Sequence, residues 1–458
     1  MLTRLRAAWA NPWLRWPVNV ASVILMIPLL YWLSVRLLSS DAPLHDEIDA
    51  VLRLERPAED PGNAYYALLG ISAPESADAH RVGTLAVMIA FDKIDNGEPV
   101  ERVVPTVPGG DALAIAPIPL VCPAGQRVCL GPMRAQVAVA RQWERAHGAV
   151  WDRYLEAATL PRYADVELGA ETLAARLAIL SDAARFMAVE RWSRGQQARA
   201  IEIMDRGITL CRRVLAGTVA LPVKRAAARC VADGWQLAAA LALDSPPAAL
   251  RRTAPLLHGF AQPLSAEEIA IGAMVRSELR SRMPTVLELP QARALTEPDN
   301  PWLEALLRPF FQRSATLNRY FEDGMAQIAL ERMPSSELVV RTPPPVDAHW
   351  WTRLRSGNPI GLALLDHVPR DTLVPLLLEL RALESQRRLL LLVMQCAASG
   401  VLPKDPAACA ASAPPELRNP FDGSAPAWDA AARTLAMSVP SAMYREQLPV
   451  PAVQLSAR

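Results

Sequence analysis

The chain has 458 residues, 51% hydrophobic and 21% charged, a balance that suits a folded globular protein and argues against intrinsic disorder. Lys and Arg number 48 against 47 Asp and Glu, and beyond residue 40 the count is 44 basic to 47 acidic. Such near-neutrality leaves no electrostatic footprint for nucleic acid, which is excluded as a partner of that part.

Arg4, Arg6 and Arg15 precede a run of 20 uncharged residues, Trp16 to Val35, ten of them Leu, Ile or Val. A helix needs about 20 apolar residues to cross hydrocarbon. Trp9, Trp13 and Trp16 stand before the run and Tyr31 and Trp32 near its end, as aromatic belts do. The first acidic residue is Asp41, so the basic flank predicts a cytoplasmic tail over 1–15 and a transmembrane anchor over 16–38. The alternative is a cleavable signal peptide, but its apolar core is shorter and residues 37–43 show no A-x-A cleavage pattern. The expectation is a single-pass protein of the inner (cytoplasmic) membrane, partnered with the lipid bilayer through its anchor, with the bulk of the chain periplasmic.

Residues 39–132 read as a membrane-proximal mixed segment. Asp41 can cap a short helix with Pro43 in its first turn and Ile48, Val51, Leu52 and Leu54 on one apolar side. Asn63-Ala-Tyr-Tyr-Ala-Leu-Leu-Gly-Ile71 reads as a capped helix ended by Gly70, and a longer helix from about Ala77 to Asp95 closes at Asn96-Gly97. Seven prolines between Pro99 and Pro132 then forbid a long helix and leave an irregular or β segment near 100–131.

The six cysteines fall into three neighbouring pairs, Cys122 with Cys129, Cys211 with Cys230, and Cys396 with Cys409. None has C-x₂-C spacing or a histidine cluster beside it, so disulfides are favoured over free thiols and metal, in agreement with an oxidising compartment. Short spacing alone does not prove bonding.

Residues 133–400 read as a helical domain. Leu173, Leu177, Leu180, Ala184 and Met187 recur at helical spacing, as do Ile201, Met204, Ile208, Cys211 and Leu215, and a third helix follows Pro222. The stretch 188–201 resembles the turn of a tetratricopeptide-like hairpin, yet no period of about 34 residues recurs. Further helices are predicted over 266–283, 302–333 and 372–398. Residues 401–458 form an irregular C-terminal segment with Asn419-Pro-Phe-Asp-Gly423 as a turn and a possible terminal hairpin through Leu435 and Met437. The fold class is therefore mainly α: one N-terminal transmembrane helix, then an irregular helical-hairpin outer domain, solenoid-like or an orthogonal bundle.

The Asn63–Ile71 opening after an anchor, the alanine-rich helical middle and the Asn419–Gly423 box together resemble a group of uncharacterised, membrane-anchored proteobacterial envelope proteins. That resemblance brings no assigned activity and no catalytic residues.

The search for chemistry is largely empty. The six histidines (His45, His80, His147, His258, His349, His367) are scattered, and no P-loop, G-x-G-x-x-G or G-x-S-x-G is present. Asp92-Lys-Ile-Asp-Asn-Gly97 has the wrong acidic spacing for a calcium loop and reads as a helix end. Glu267-Glu268 follow Ser265 as acidic residues follow a helix cap. Trp350-Trp351 is the most exposed-looking aromatic pair, open to a reading as core packing or as a binding anchor. No cofactor, metal ligand or catalytic residue is assigned. The expected function is a protein-interaction or scaffold module of the cell envelope with an envelope protein as partner. The rivals are a hydrolase of cell wall or lipid with dispersed carboxylates, and a hydrophobic-ligand binder.

Overall fold

The computed structural model describes residues 41–98, 100–108, 110–111, 113–119, 122, 128–244, 262–287, 311–340, 358–366, 373–402, 404–438 and 452–454, with residues 20, 26, 29–31 and 33. Among them are sixteen α-helices and one three-stranded sheet, so the protein is mainly helical.

Two expectations are corrected. Among the described residues no helix is long and apolar enough to cross a membrane. The anchor over 16–38, and the single-pass inner-membrane placement with its bilayer partner, are therefore withdrawn; most of 16–38 lies outside the described residues. The longest described helices cannot stand in for it, because their charges recur on every side. Leu373–Ala398, for example, carries Glu379, Arg381, Glu384, Arg387 and Arg388. The oxidising compartment is supported independently by three disulfides.

The chain forms two compact units, the first from 1–53, 279–324 and 342–370 and the second from 54–278, 325–341 and 371–458. In the first unit α1 (Asp46–Leu52) buries Ile48 and Val51 and places Asp46, Glu47 and Asp49 in its first turn, where the positive end of the helix favours them. Asp41 does not cap α1. Its carboxylate accepts the N–H groups of Ser314 and Ala315 at 2.8 and 2.9 Å, capping a helix over 270 residues away in sequence. Asn318 on that helix donates to the Pro43 carbonyl at 2.7 Å and accepts from the His45 N–H at 2.9 Å, which fixes the chain entering α1.

The second unit starts with α2 (Ala64–Leu69) and α3 (Ala79–Asp95), crossing at Gly70 and Gly83. A Cβ on Gly83 would lie 1.9 Å from the Tyr66 carbonyl oxygen, so only glycine permits this approach. Asn63 caps α2 by accepting from Tyr65 N–H at 3.1 Å, and it also pairs with both backbone groups of Ala164. The loop between α2 and α3 is held by Arg153, whose guanidinium donates to the carbonyls of Ile71, Ala73, Pro74, Glu75 and Ala77 at 2.6 to 3.2 Å. Arg153 belongs to α6 (Gly148–Ala157), the last of three short helices after α4 (Leu130–Ala135) and α5 (Val137–Ala146).

The centre of the unit is α7 (Ala170–Ser193), α8 (Gln197–Gly217) and α9 (Leu221–Leu243). The residues predicted for the apolar stripes of α7 and α8, among them Leu173, Leu177, Leu180, Ile201 and Met204, are all buried, as is Trp235 on α9. Gly195 ends α7 at a positive φ of 77°, with its own N–H on the Trp192 carbonyl and that of Gln196 on the Arg191 carbonyl, a Schellman motif. α3 and the later α15 end the same way at Gly97 and Gly400.

The helix predicted over 266–283 is broken. α10 (Ala266–Ile269) stops after one turn and α11 (Gly272–Leu287) starts afresh. The cause is tertiary: Lys224 donates to the Ala270 carbonyl at 2.6 Å, and the Glu331 carboxylate takes the Ile271 N–H. These partners replace the i to i−4 bonds that a continuous helix would make there. Next come α12 (Arg313–Ile328), which Asp41 caps, α13 (Ser335–Val340) and α14 (Pro359–Asp366).

α15 (Leu373–Ala398) packs on α9 and carries the C-terminal segment, α16 (Pro406–Ala411) and the strands β1 (Ala427–Asp429), β2 (Thr434–Ala436) and β3 (Ala452–Gln454). The expected terminal hairpin is present as β1–β2, with Trp428 opposite Leu435, and β3 extends it antiparallel. No strand occurs among the described residues of 100–131, which are irregular apart from one 3-10 turn and the start of α4 at Leu130. Asn419 closes its box by donating to the Ser438 carbonyl at 2.8 Å and accepting from the Phe421 N–H at 3.2 Å. Leu435 and Met437 join Leu389, Val393 and the bonded Cys396 and Cys409 in one buried cluster.

Candidate functional site

All six cysteines are paired as their spacing suggested, with Cα separations of 5.6, 6.2 and 5.8 Å. Trp350 and Trp351 lie outside the described residues, as do His258, His349 and His367. Of the remaining histidines, His80 meets the Asp60 carbonyl at 3.1 Å, His45 faces Glu322 at 3.2 Å, and His147 stacks on Trp143 with ring centroids 4.7 Å apart. Among the described residues no group of three or more His, Cys, Asp or Glu is placed to hold a metal ion. Asp92 and Asp95 are instead both bound by Arg56, at 2.7 Å each. Glu268 closes a capping box with Ser265 and takes Arg212 through both of its oxygens, at 2.5 and 2.7 Å.

The arrangement with room for a ligand lies between α7 and α9. Short turns link α7 to α8 and α8 to α9, so neighbouring helices run antiparallel and α7 and α9 run side by side in the same direction. A groove of about 900 Å³ separates their outer faces. On α7 it is lined by Glu171, Ala174, Ala175, Ala178, Ser181, Asp182 and Arg185, and on α9 by Pro222, Arg225, Ala226, Arg229, Cys230 and Asp233. Both sets repeat every three or four residues, the spacing of one helix face. Alanines make the floor, and charged residues make the rim and one end. Ile118 and Cys122 of the irregular segment complete the wall.

The start of α9 is positioned by a sealed polar cluster. Asp165 accepts the Thr218 hydroxyl at 2.6 Å, the Val219 N–H at 2.7 Å and the Tyr163 hydroxyl at 2.9 Å. Burial pushes its carboxyl up to about 6 even though these three hydrogen bonds pull the other way. Gly217 is required here, because a Cβ would lie 1.8 Å from the Tyr163 carbonyl oxygen. Lys224, one turn into α9, donates to the Leu215 carbonyl at 2.8 Å, and burial lowers its ammonium to about 8. Both groups are buried, so the cluster aims α9 and does not meet solvent.

No family model, curated protein or solved structure matches this chain. Its site is thus read from its own geometry.

Six charged side chains line the groove. Arg185 is 8% exposed and is held between Asp182 and Asp233, the latter 2.6 Å from its guanidinium. That close approach is an ion pair without hydrogen-bond alignment, and Arg185 Nε has no hydrogen-bond partner among the described residues. Glu171 stands in the first turn of α7, where it offsets the positive helix end. Arg225 and Arg229 are left: they make no ion pair or hydrogen bond among the described residues. Sequence reading missed Arg185, Arg225 and Arg229. The signal was there in the matched alanine and arginine spacing of 171–185 and 222–233, but only the pairing of α7 with α9 brings the two faces together.

Proposed function

We propose that the helices α7 to α9 act as a protein-interaction module, capturing a segment of another polypeptide in the groove between α7 and α9. The alanine floor carries this reading. Ala174, Ala175, Ala178 and Ala226 keep two parallel helices open along one face, so that a foreign backbone can come close, and the rim supplies charges to orient it. The groove is long. From Glu171 to Arg185, α7 rises about 21 Å, the length of about six extended residues. Three disulfides hold the fold in an oxidising compartment, where its partner is expected to be met.

The hydrolase reading gains less. Two of the three groove carboxylates, Asp182 and Asp233, are turned onto the single guanidinium of Arg185 and so are engaged in the wall itself. A hydrophobic ligand fits poorly between charged rims.

A photo-crosslinking residue in place of Ala175, in the full chain expressed in its native host, should trap one polypeptide as a defined adduct. The same residue at Arg199, on the exposed side of α8, is the control. Equal labelling from both positions, or none from Ala175, would sink the proposal.

A further inference from the structure

Resting on that reading, we infer that the occupant of the groove is an acidic extended segment, with a carboxylate side chain seated between Arg225 and Arg229 in the first half of α9. Two observations bear on the α9 start and a third on the opposite end of the groove. Arg225 and Arg229 are one helical turn apart, with Cβ atoms about 6 Å from each other, and like charges at this spacing repel. Neither has an anionic partner among the described residues, so an anion between them removes the repulsion. The first turn of α9 carries no acidic residue and its N-cap, Ala220, provides no side-chain cap, although Leu221 and Pro222 of that turn line the groove. The positive end of this 23-residue helix thus meets the groove at Leu221 and Pro222, with Asp165 bonded to the Val219 N–H on its buried side. The parallel helix α7 differs in having Glu171 in its first turn, which offsets its own positive end. Lastly, Arg185 closes the far end with a buried Nε that no described residue accepts from, a second donor for a backbone or side-chain oxygen of the same segment.

The lining decides between kinds of anion. Among the described residues it contains no aromatic ring on which a base could stack, which disfavours a nucleotide. Its floor is a strip of methyl groups matching the small side chains or backbone of a polypeptide. A carboxylate also suits paired guanidinium groups, which bind it with charge-assisted hydrogen bonds.

The test uses three fluorescein-labelled hexapeptides on the full chain, read by anisotropy: Val-Thr-Glu-Glu-Val-Thr and its Gln-Gln and Lys-Lys counterparts. The Glu-Glu peptide should bind about tenfold or more tighter than the Gln-Gln one. The double variant Arg225→Gln with Arg229→Gln should erase that preference while its thermal unfolding midpoint stays unchanged. Equal binding of the Glu-Glu and Gln-Gln peptides, no binding by any of the three, or a preference that survives in the double variant overturns the inference. Displacement of the acidic peptide by inorganic phosphate at concentrations where acetate has no effect also overturns it, in favour of a phosphate site. Ala178→Trp separates this failure from failure of the docking reading. If the bulky residue abolishes binding of a Gln-Gln peptide that the arginine variant still binds, the groove docks a polypeptide without the acidic preference. If it leaves acidic-peptide binding unchanged, the groove is not the site and both readings fall.

Discussion

Asp165 and Lys224 are buried on either side of the turn that starts α9, and burial drives their ionisations toward each other, the carboxyl up to about 6 and the ammonium down to about 8. The nearby carboxylates of Glu331, Asp165 and Glu268 oppose the shift of Lys224 without cancelling it. Between pH 6 and 8 both groups are charged while buried, so this is the range in which the cluster costs the fold most.

The acid side follows from Asp165. Its folded pKa lies above the ordinary 3.8, so the folded state holds the proton more tightly, and the contribution is fully present below about pH 3.8 and lost as pH rises through about 6. Asp165→Asn keeps the size of the side chain and removes the titration. Relative to that variant, the wild-type chain should gain up to about 3 kcal/mol as pH falls from 7 to 4. Urea unfolding at a series of pH values measures the difference, and parallel curves would refute it.

Lys224 sets the alkaline side. Its folded pKa lies below the ordinary 10.5, so its contribution is present above about pH 10.5 and lost as pH falls through about 8. The wild-type chain should thus gain about 3 kcal/mol over Lys224→Met between pH 8 and 10.5. Non-reduced samples keep the disulfides out of this comparison, and an unchanged difference across the range would exclude the linkage.

Arg212 and Glu268 form a two-bond ion pair with side chains only 11% and 5% exposed. Glu268→Ala leaves the guanidinium buried with its carboxylate missing and should cost about 3 kcal/mol or more. Ser265→Ala removes only the cap, at about 1 kcal/mol. The order of the two losses in chemical denaturation is the check: a Ser265 variant weakened as much as the Glu268 one would mean that capping, and not the ion pair, holds α10.

Gly83→Ala should separate α2 from α3 or prevent folding, because the new methyl would meet the Tyr66 carbonyl oxygen at 1.9 Å. Strain of this kind typically costs about 1–3 kcal/mol, and backbone on the far side leaves little room to yield. Gly148→Ala is the control, since no atom lies within 4 Å of its would-be Cβ at the start of α6. Circular dichroism melts should show a large drop for the first and little change or a slight gain for the second.

Replacing Cys211 and Cys230 together by Ala removes the link between α8 and α9 and should lower stability by about 3 kcal/mol, as for a loop of this length. Cys230 also lines the groove, so peptide binding measured on the same variant reports whether the link to α8 holds the α9 wall in place. A loss below about 1 kcal/mol would show that packing alone orients these helices.

The local features of the fold were legible in advance because their causes are local. Asn63 and Asn419 each bond a backbone N–H two residues on, Gly97, Gly195 and Gly400 close helices within one turn, and each cysteine pair closes a short loop. Such signals need no knowledge of distant chain. The apolar stripes of α7 to α9 were readable for the same reason, since a helix repeats its own face.

The features that failed to show depend on partners far along the chain. Asp41 carries the side chain of a local cap, but its acceptors' true partners are the N–H groups of Ser314 and Ala315, and the break at Ala270 comes from Lys224 and Glu331. The uncharged run 16–35 records hydropathy, which is a property of composition, and among the described residues no helix long and apolar enough to cross a membrane accompanies it. The groove is the same kind of case. Composition and period place alanine and arginine on one face of each helix, yet a groove exists only where two such faces stand side by side, and the turn held by Asp165 and Thr218 is what aims α9 along α7.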